Sequence, residues 1–241
     1  MDRERICGLL ELNGIPFPAE LPEKLETYLR LLGEWNRRMD LTAVEDEAET
    51  VDKHFIDSLA VLRTGLIPEG ASLIDVGTGA GFPGMVLAMA RPDLRVALAD
   101  AQQKRLNFLD AVREATGTGN TVLLHTRAED GAREKKYREQ FDLACARAVA
   151  PLNVLCEYLL PFVKVDGCAL CWKGPALRQE LEPGRRAARL LGGRLEMPVR
   201  CAIAGRDWEH IILPVRKVEK TASAYPRKAG TPKAKPLGGM E

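Results

Sequence analysis

The residues best placed to do chemistry are clustered in Leu73-Ile74-Asp75-Val76-Gly77-Thr78-Gly79-Ala80-Gly81-Phe82-Pro83-Gly84, an apolar run ending in a carboxylate and then a glycine-dense turn. Glycines let the backbone turn sharply and let a ligand lie against it, and a helix after such a turn presents free N–H groups. Two patterns fit. Gly79-x-Gly81-x-x-Gly84 matches the dinucleotide fingerprint, and Gly77-x-Gly79-x-Gly81 preceded by Asp75 matches that of S-adenosylmethionine enzymes. Asp75 chooses between them. A carboxylate at the strand end opposes an anionic pyrophosphate but favours a cofactor with a cationic ammonium and sulfonium. The dinucleotide match is also out of register, because Gly77 already follows the strand directly.

Other charged residues fall where short apolar runs end. Asp100 closes Val96-Ala-Leu-Ala-Asp and can bind the hydroxyls of an adenosine ribose, cap the following helix, or both. Ala128-Glu129-Asp130 follows the next run, and offers an adenine contact or a helix cap. Arg147 and Lys173 follow two later runs. Each can hold substrate phosphate or fix the cofactor, or pair structurally, Arg147 with Asp75 or Asp100. His54 and Asp57 share one helix face at i, i+3; a lone histidine there is more often a satisfied boundary residue than a site residue. Cys168-Ala-Leu-Cys171 has the spacing of a metal or redox pair, but on a strand its thiols point to opposite faces, so no metal site is expected.

The elements that must carry these residues follow from periodicity. Over residues 1–70, Leu25, Tyr28, Leu29, Leu32 and Trp35 form one helical face, and Val51, Phe55, Leu59 and Leu62 a second. Pro68, Glu69 and Gly70 then break the pattern. From residue 71, strands are expected at 72–76, 95–99, 121–125, 141–146, 167–172 and 210–215, with helices at 83–90, 103–116, 151–162 and 177–191. This alternation implies a doubly wound parallel α/β sheet. A strand near 194–199, joined to 210–215 through Ala-Gly-Arg-Asp, suggests an antiparallel edge hairpin, with Pro214 weakening or ending the last strand. The expected organisation is a helical extension (1–70), a cofactor-binding domain (71–217) and a basic, flexible tail (218–241).

Composition sets the outer limits. Of 241 residues, 46% are hydrophobic and 29% charged, and the formal net charge is +1, so the molecule as a whole is not a basic nucleic-acid binder. Charge is concentrated at the end: from Arg216 onward there are seven Lys/Arg against two Glu. Such a segment meets phosphate by counterion release or serves as a solvated terminus. The charged start lacks a signal-peptide pattern, no run reaches the length of a membrane span, and the six scattered cysteines suit a reduced, cytoplasmic protein.

Several motifs together resemble the GidB/RsmG family of bacterial 16S rRNA guanine-N7 methyltransferases. They are Trp35-Asn36, Asp40-Leu-Thr-Ala-Val44, His54-Phe-Ile-Asp-Ser58, the loop from Asp75 to Gly84, Lys104-Arg105 with Phe108-Leu109, Arg147-Ala148 and Lys173-Gly174. The segment Tyr225–Leu237 is similar to the basic terminus of one branch of that family. The resemblance implies a class I methyltransferase (Rossmann-like) fold, S-adenosylmethionine as cofactor, and cofactor contacts at Gly77, Phe82, Ala128, Glu129 and Arg147. With the residues already singled out, the expected binding set is Asp75, Gly77, Gly79, Gly81, Phe82, Asp100, Ala128, Glu129 and Arg147. Arg147, Lys173 and His54 are expected to position substrate, and no catalytic acid or base is expected. The expected partner is 16S rRNA or the small ribosomal subunit, met by a monomer, with no role for DNA or membrane. Two alternatives remain: an NAD-dependent oxidoreductase, and an RNA-binding module that keeps the fold without the chemistry.

Overall fold

In a computed structural model, residues 3–39, 41–42, 46–207 and 209–239 are described, so Asp40, Ala43 and Val44 of the motifs above, and the terminal residues 240 and 241, lie outside the described residues. Two helices lead, α1 (Arg3–Leu12) and α2 (Leu21–Met39). A continuous helical stretch follows. Its α-helical turns α3 (Glu47–Thr50) and α4 (Asp57–Leu59) flank a π-helical segment, Val51–Ile56, and it ends in a 3-10 turn, Ala60–Arg63. Then come β1 (Ser72–Val76), α5 (Gly84–Ala90), β2 (Arg95–Asp100), α6 (Gln103–Thr116), β3 (Thr121–His125), α7 (Ala128–Gly131) and β4 (Phe141–Arg147). The last elements are α8 (Leu152–Leu159), β5 (Val163–Lys173), α9 (Leu177–Leu190), β6 (Gly193–Leu195), β7 (Val199–Ala202), β8 (Glu209–Lys217) and α10 (Thr231–Ala234).

Among the described residues the sheet runs β3-β2-β1-β4-β5-β8-β6, with β7 also paired to β8. Strands β1 to β5 are parallel; β8 is antiparallel to β5, β6 and β7. Strand order reverses between β1 and β4, which places a crevice at their carboxyl ends, the usual ligand position in a doubly wound sheet. Alternation along each strand feeds two cores. Leu73, Cys168, Leu170 and Trp172 pack with α1, α2, α5 and α6 on one face. Ile74, Ala169, Cys171 and Val215 pack with α8 and α9 on the other. Cys168 and Cys171 therefore lie in different cores, as period-two geometry requires.

The N-terminal helices have no separate core: Ile6, Leu10 and Tyr28 are buried in the same cluster as Leu73, Val96 and Leu98. The expected edge strand near 194–199 is two strands. Residues 196–198, with Pro198, separate β6 from β7, and β8 is an interior strand flanked by β5 on one side and both short strands on the other. Pro214 neither weakens nor ends β8. Its carbonyl accepts from the Glu196 N–H, so its missing N–H faces the gap between β6 and β7, where no ladder bond is lost.

Over the described residues 218–239 the tail is folded onto the α8/α9 face. Arg138 donates to the carbonyls of Thr221, Ala222 and Tyr225, and Arg133 to that of Pro226. Asn153 and Arg186 hold the carbonyls of Leu237 and Gly238. Composition reads these lysines and prolines as a solvated chain. It cannot register that arginines and an asparagine far away in sequence supply donors for the tail's carbonyls.

Candidate active site

The glycine loop leaves β1 with Gly77, Gly79 and Gly81 at φ of 71°, 60° and 97°, the left-handed region that only glycine enters without strain. Gly81 and Gly84 also have no room for a side chain. A Cβ on Gly84 would lie 2.6 Å from the Cβ of Asp75 and from Leu98, and one on Gly81 would run into the Tyr28 hydroxyl. Tyr28, on α2, donates that hydroxyl to the carbonyl of Ala80 and stacks its ring on Phe82 with centroids 5.6 Å apart. The helical extension thus holds the loop from outside.

Asp75 is fully buried at the foot of the loop. Its Oδ2 accepts from Thr78 Oγ1 (2.7 Å) and from the Gly84 N–H (2.8 Å), while Oδ1 is buried without a hydrogen-bond partner. Burial pushes the Asp75 carboxyl up to about 6; the bonds from Thr78 and Gly84, and the nearby Arg147 and Cys145, pull the other way. An orphaned carboxylate oxygen below a loop of bare backbone fits a cationic ligand group above it. Asp100 ends β2 with Oδ2 accepting from the Gly79 N–H (3.0 Å) and Arg105 (3.3 Å), and Oδ1 from the Gln102 N–H (2.8 Å). Gln102, not Asp100, holds the N-cap position of the helix after it, without a side-chain cap bond, and the Asp100 carboxylate ties β2 to the loop at the position suited to a ribose. Asp75, Gly77, Gly79, Gly81 and Asp100 therefore fit the adenosyl and amino-acid parts of the expected cofactor.

Ala128 and Glu129 open α7, after β3. The Glu129 side chain is turned away from solvent, and its Oε1 accepts from the Gly230 N–H of the terminal segment (2.8 Å). Its carboxylate is engaged by the protein, and the Ala128 side chain is partly buried against the core on the α8/α9 face.

Arg147 does not pair with Asp75 or Asp100. Its Nη1 donates to Asp57 Oδ2 (2.9 Å) and to the Lys53 carbonyl (2.7 Å), and its Nη2 lies 2.9 Å from His54 Nδ1. The guanidinium carbon sits 5.2 Å from the centre of the Phe82 ring, which also stacks on His54 at 4.6 Å. His54 Nε2 meets Thr42 Oγ1 at 2.9 Å, and the fully buried Asp57 is hydrogen-bonded through its other oxygen to His210. Burial, then the adjacent Arg147, lowers His54 to about 4, so the imidazole is neutral near pH 7. Sequence spacing put His54 and Asp57 on one face but could not reveal that β4 would deliver Arg147 between them, or β8 His210.

Lys173 is buried, with Nζ 2.6 Å from Glu180 and 3.3 Å from the Ala150 carbonyl. Its ammonium is directed at Glu180 of α9. Next to this network a cleft of about 560 Å³ is lined by Lys53, His54, Arg147, Ala148, Gly174, Pro175, Asp207 and His210. It adjoins the carboxyl ends of β4 and β5, and two of its lining residues, His54 and Arg147, pack on Phe82.

A family model described as "GidB: rRNA small subunit methyltransferase G" matches residues 21–208. The chain belongs to the GidB family. The ribosomal RNA small subunit methyltransferase G of Clostridium botulinum (strain Eklund 17B / Type B) is 42% identical over 232 residues, covering 96% of this chain and 97% of the relative. That of Thermoanaerobacter sp. (strain X514) is 45% identical over 215 residues, 89% of this chain and 90% of the relative. Among solved structures, a SAM-dependent methyltransferase of Aquifex aeolicus superposes with a TM-score of 0.52 at 20% identity, over 69% of this chain and 92% of that one. A 16S rRNA adenine-N1 methyltransferase from Catenulisporales acidiphilia gives 0.52 at 17% identity, over 66% and 91%. These structures establish the class I methyltransferase fold. As a GidB-family member the protein is a methyltransferase with S-adenosylmethionine as its cofactor, and the oxidoreductase alternative falls away.

Proposed function

We propose that this protein transfers the methyl group of S-adenosylmethionine to N7 of a guanine in 16S rRNA, and that the cleft beside Arg147 receives the guanine. The observation that carries the assignment of the cleft is its lining by Arg147 and His54, at the carboxyl ends of β4 and β5. N7 of guanine has an in-plane lone pair and no proton, so displacement at the methyl carbon needs no general base. The groups around the cleft agree with this. His54 is neutral and hydrogen-bonded through both nitrogens, and both oxygens of Asp57 are engaged.

Bound S-adenosylmethionine supplies the electrophilic methyl group. Asp75 offers a negative charge below the loop, Asp100 holds the ribose, and the backbone of Gly77–Gly81 lets the ligand lie close. Arg147 and His54, held by Phe82 behind them, wall off the acceptor from water. Aligning two reactants in this way lowers a barrier by roughly 7–11 kcal/mol when the reacting atoms are in line. Phosphates flanking the base would meet exposed Lys220, Lys228, Lys233 and Lys235 of the terminal segment. The protein acts as a monomer on RNA or on the assembled small subunit.

The test is incubation with isotopically labelled S-adenosylmethionine and unmodified small-subunit RNA, naked and in particles, followed by mass spectrometry of the nucleosides. Labelled 7-methylguanosine is the expected product. Another methylated nucleoside would overturn the choice of base and atom.

A further inference from the structure

The terminal segment meets the cofactor edge at one point with a specific fixing device. Gly230, at φ 84°, donates its N–H to Glu129, whose neighbour Ala128 opens α7 at the carboxyl end of β3. Three residues earlier, Arg227 is locked to Glu157 on α8. Its Nε lies 2.9 Å from Oε1 and its Nη2 2.7 Å from Oε2, while its backbone N–H donates to Oε1 at 2.7 Å. Glu157 is fully buried, so this two-pronged pair is the compensation for a carboxylate taken out of water. Arg133 and Arg138 clasp the carbonyls on the N-terminal side of Arg227. A terminus needing only solubility has no use for two buried acids and two arginines on other elements.

We infer that residues 225–230 are the outer brace of the adenine subsite, with Arg227 and Glu157 as positioning residues that act through Glu129. This rests on the reading that adenine lies against Ala128. Without the brace, the Glu129 carboxylate, 4% exposed, loses the N–H of Gly230 and must turn outward to water. Helix α7 is only four residues long and carries Ala128 with it. The acceptor cleft, on the far side of β1, is untouched.

The experiment measures equilibrium binding of S-adenosylhomocysteine and of 5′-methylthioadenosine, which keeps the adenosine and lacks the amino acid. Arg227→Ala should weaken both by a similar factor, roughly tenfold, as expected for losing a hydrogen bond to a charged group. Its kcat at saturating S-adenosylmethionine should stay near the wild-type value, and Arg227→Lys should recover part of the affinity. Unchanged affinity for both ligands, or a loss confined to S-adenosylhomocysteine, overturns the inference. Ala128→Trp separates it from the reading beneath it. If Ala128→Trp abolishes binding and Arg227→Ala does not matter, only the brace fails; if Ala128→Trp binds normally, the adenine assignment fails and the brace with it. Hydrogen exchange on the wild-type protein is independent of variant folding. Amides over 225–230 should gain protection with S-adenosylhomocysteine, and no gain counts against the brace.

Discussion

Arg147 Nη2 lies 2.9 Å from His54 Nδ1, and because a guanidinium only donates, Nδ1 must be the accepting nitrogen. The proton of the neutral imidazole is then on Nε2 and points to Thr42 Oγ1. One contact fixes the tautomer, the ring plane over Phe82 and the orientation of Arg147 together. It couples the helical extension to the carboxyl end of β4, the side of the crevice that the proposed acceptor occupies.

Removing Arg147 should therefore have two separable effects. Arg147→Ala leaves Asp57 fully buried with only His210 as a side-chain partner, a loss of about 3–5 kcal/mol for breaking a buried pair. Adding Asp57→Asn should restore part of that stability, since no unpaired charge remains, while methyl transfer stays low because the guanidinium over Phe82 is still missing. Urea unfolding and single-turnover transfer on the single and double variants check this. Recovery of transfer in the double variant would mean that Arg147 matters only for folding.

His54 gives the fold a pH dependence of known sign. Its pKa is lowered from 6.5 to about 4 in the folded state, so as pH falls through this window the unfolded chain takes up the proton first. Its stabilising contribution is complete above about pH 6.5 and is lost as pH falls toward 4, to the extent of about 3 kcal/mol. Asp75 works in the opposite direction. Its pKa is raised from 3.8 to about 6, so its contribution is largest below pH 3.8 and is lost as pH rises through 6. The two offset each other in the wild type. The difference between wild type and His54→Asn, measured by urea unfolding at pH 7 and pH 5, isolates the histidine, and the gap should narrow at pH 5.

Much of this arrangement is legible in the sequence where local rules suffice. Strand β1 and its glycine turn, α6 over 103–116, and the carboxylates at the ends of β1 and β2 follow from alternation, spacing and glycine chemistry. What escapes is long-range pairing. Nothing near Arg147 says that its acid is Asp57, nothing near Lys173 says that Glu180 will take its charge, and nothing in a run of lysine and proline says that Glu157 waits for Arg227. The π-helical segment is equally hidden, because an apolar repeat of three and four is satisfied by an α-helix as well.

Asp75 should make binding sensitive to the charge of the ligand. Asp75→Asn keeps an acceptor for Thr78 and the Gly84 N–H but removes the negative charge. S-Adenosylmethionine carries a sulfonium that S-adenosylhomocysteine lacks, so the variant should lose more affinity for the former. In the wild type, affinity for S-adenosylmethionine should fall below about pH 6, as the carboxyl takes up its proton, and Asp75→Asn should flatten that profile. Calorimetric titration of both ligands between about pH 5 and 8, a range that spans the raised Asp75 carboxyl, gives the answer. Equal losses for the two ligands would remove the sulfonium from Asp75's role.

Lys173 and the lysines of the terminal segment make opposite predictions for RNA. A lysine that neutralises one phosphate contributes about 0.7 to 0.9 to the slope of log affinity against log salt. Lys173 is buried against Glu180, so Lys173→Met should leave that slope and the RNA affinity unchanged and shift only thermal stability. Lys228 and Lys233 are exposed, and replacing both by alanine should flatten the slope by about 1.5 and weaken binding at low salt most. Filter binding of unmodified small-subunit RNA across a salt series measures both. If Lys173→Met flattens the slope instead, the ammonium must leave Glu180 when RNA binds; if the double alanine variant leaves the slope unchanged, the terminal lysines are a solvated surface with no share in RNA binding.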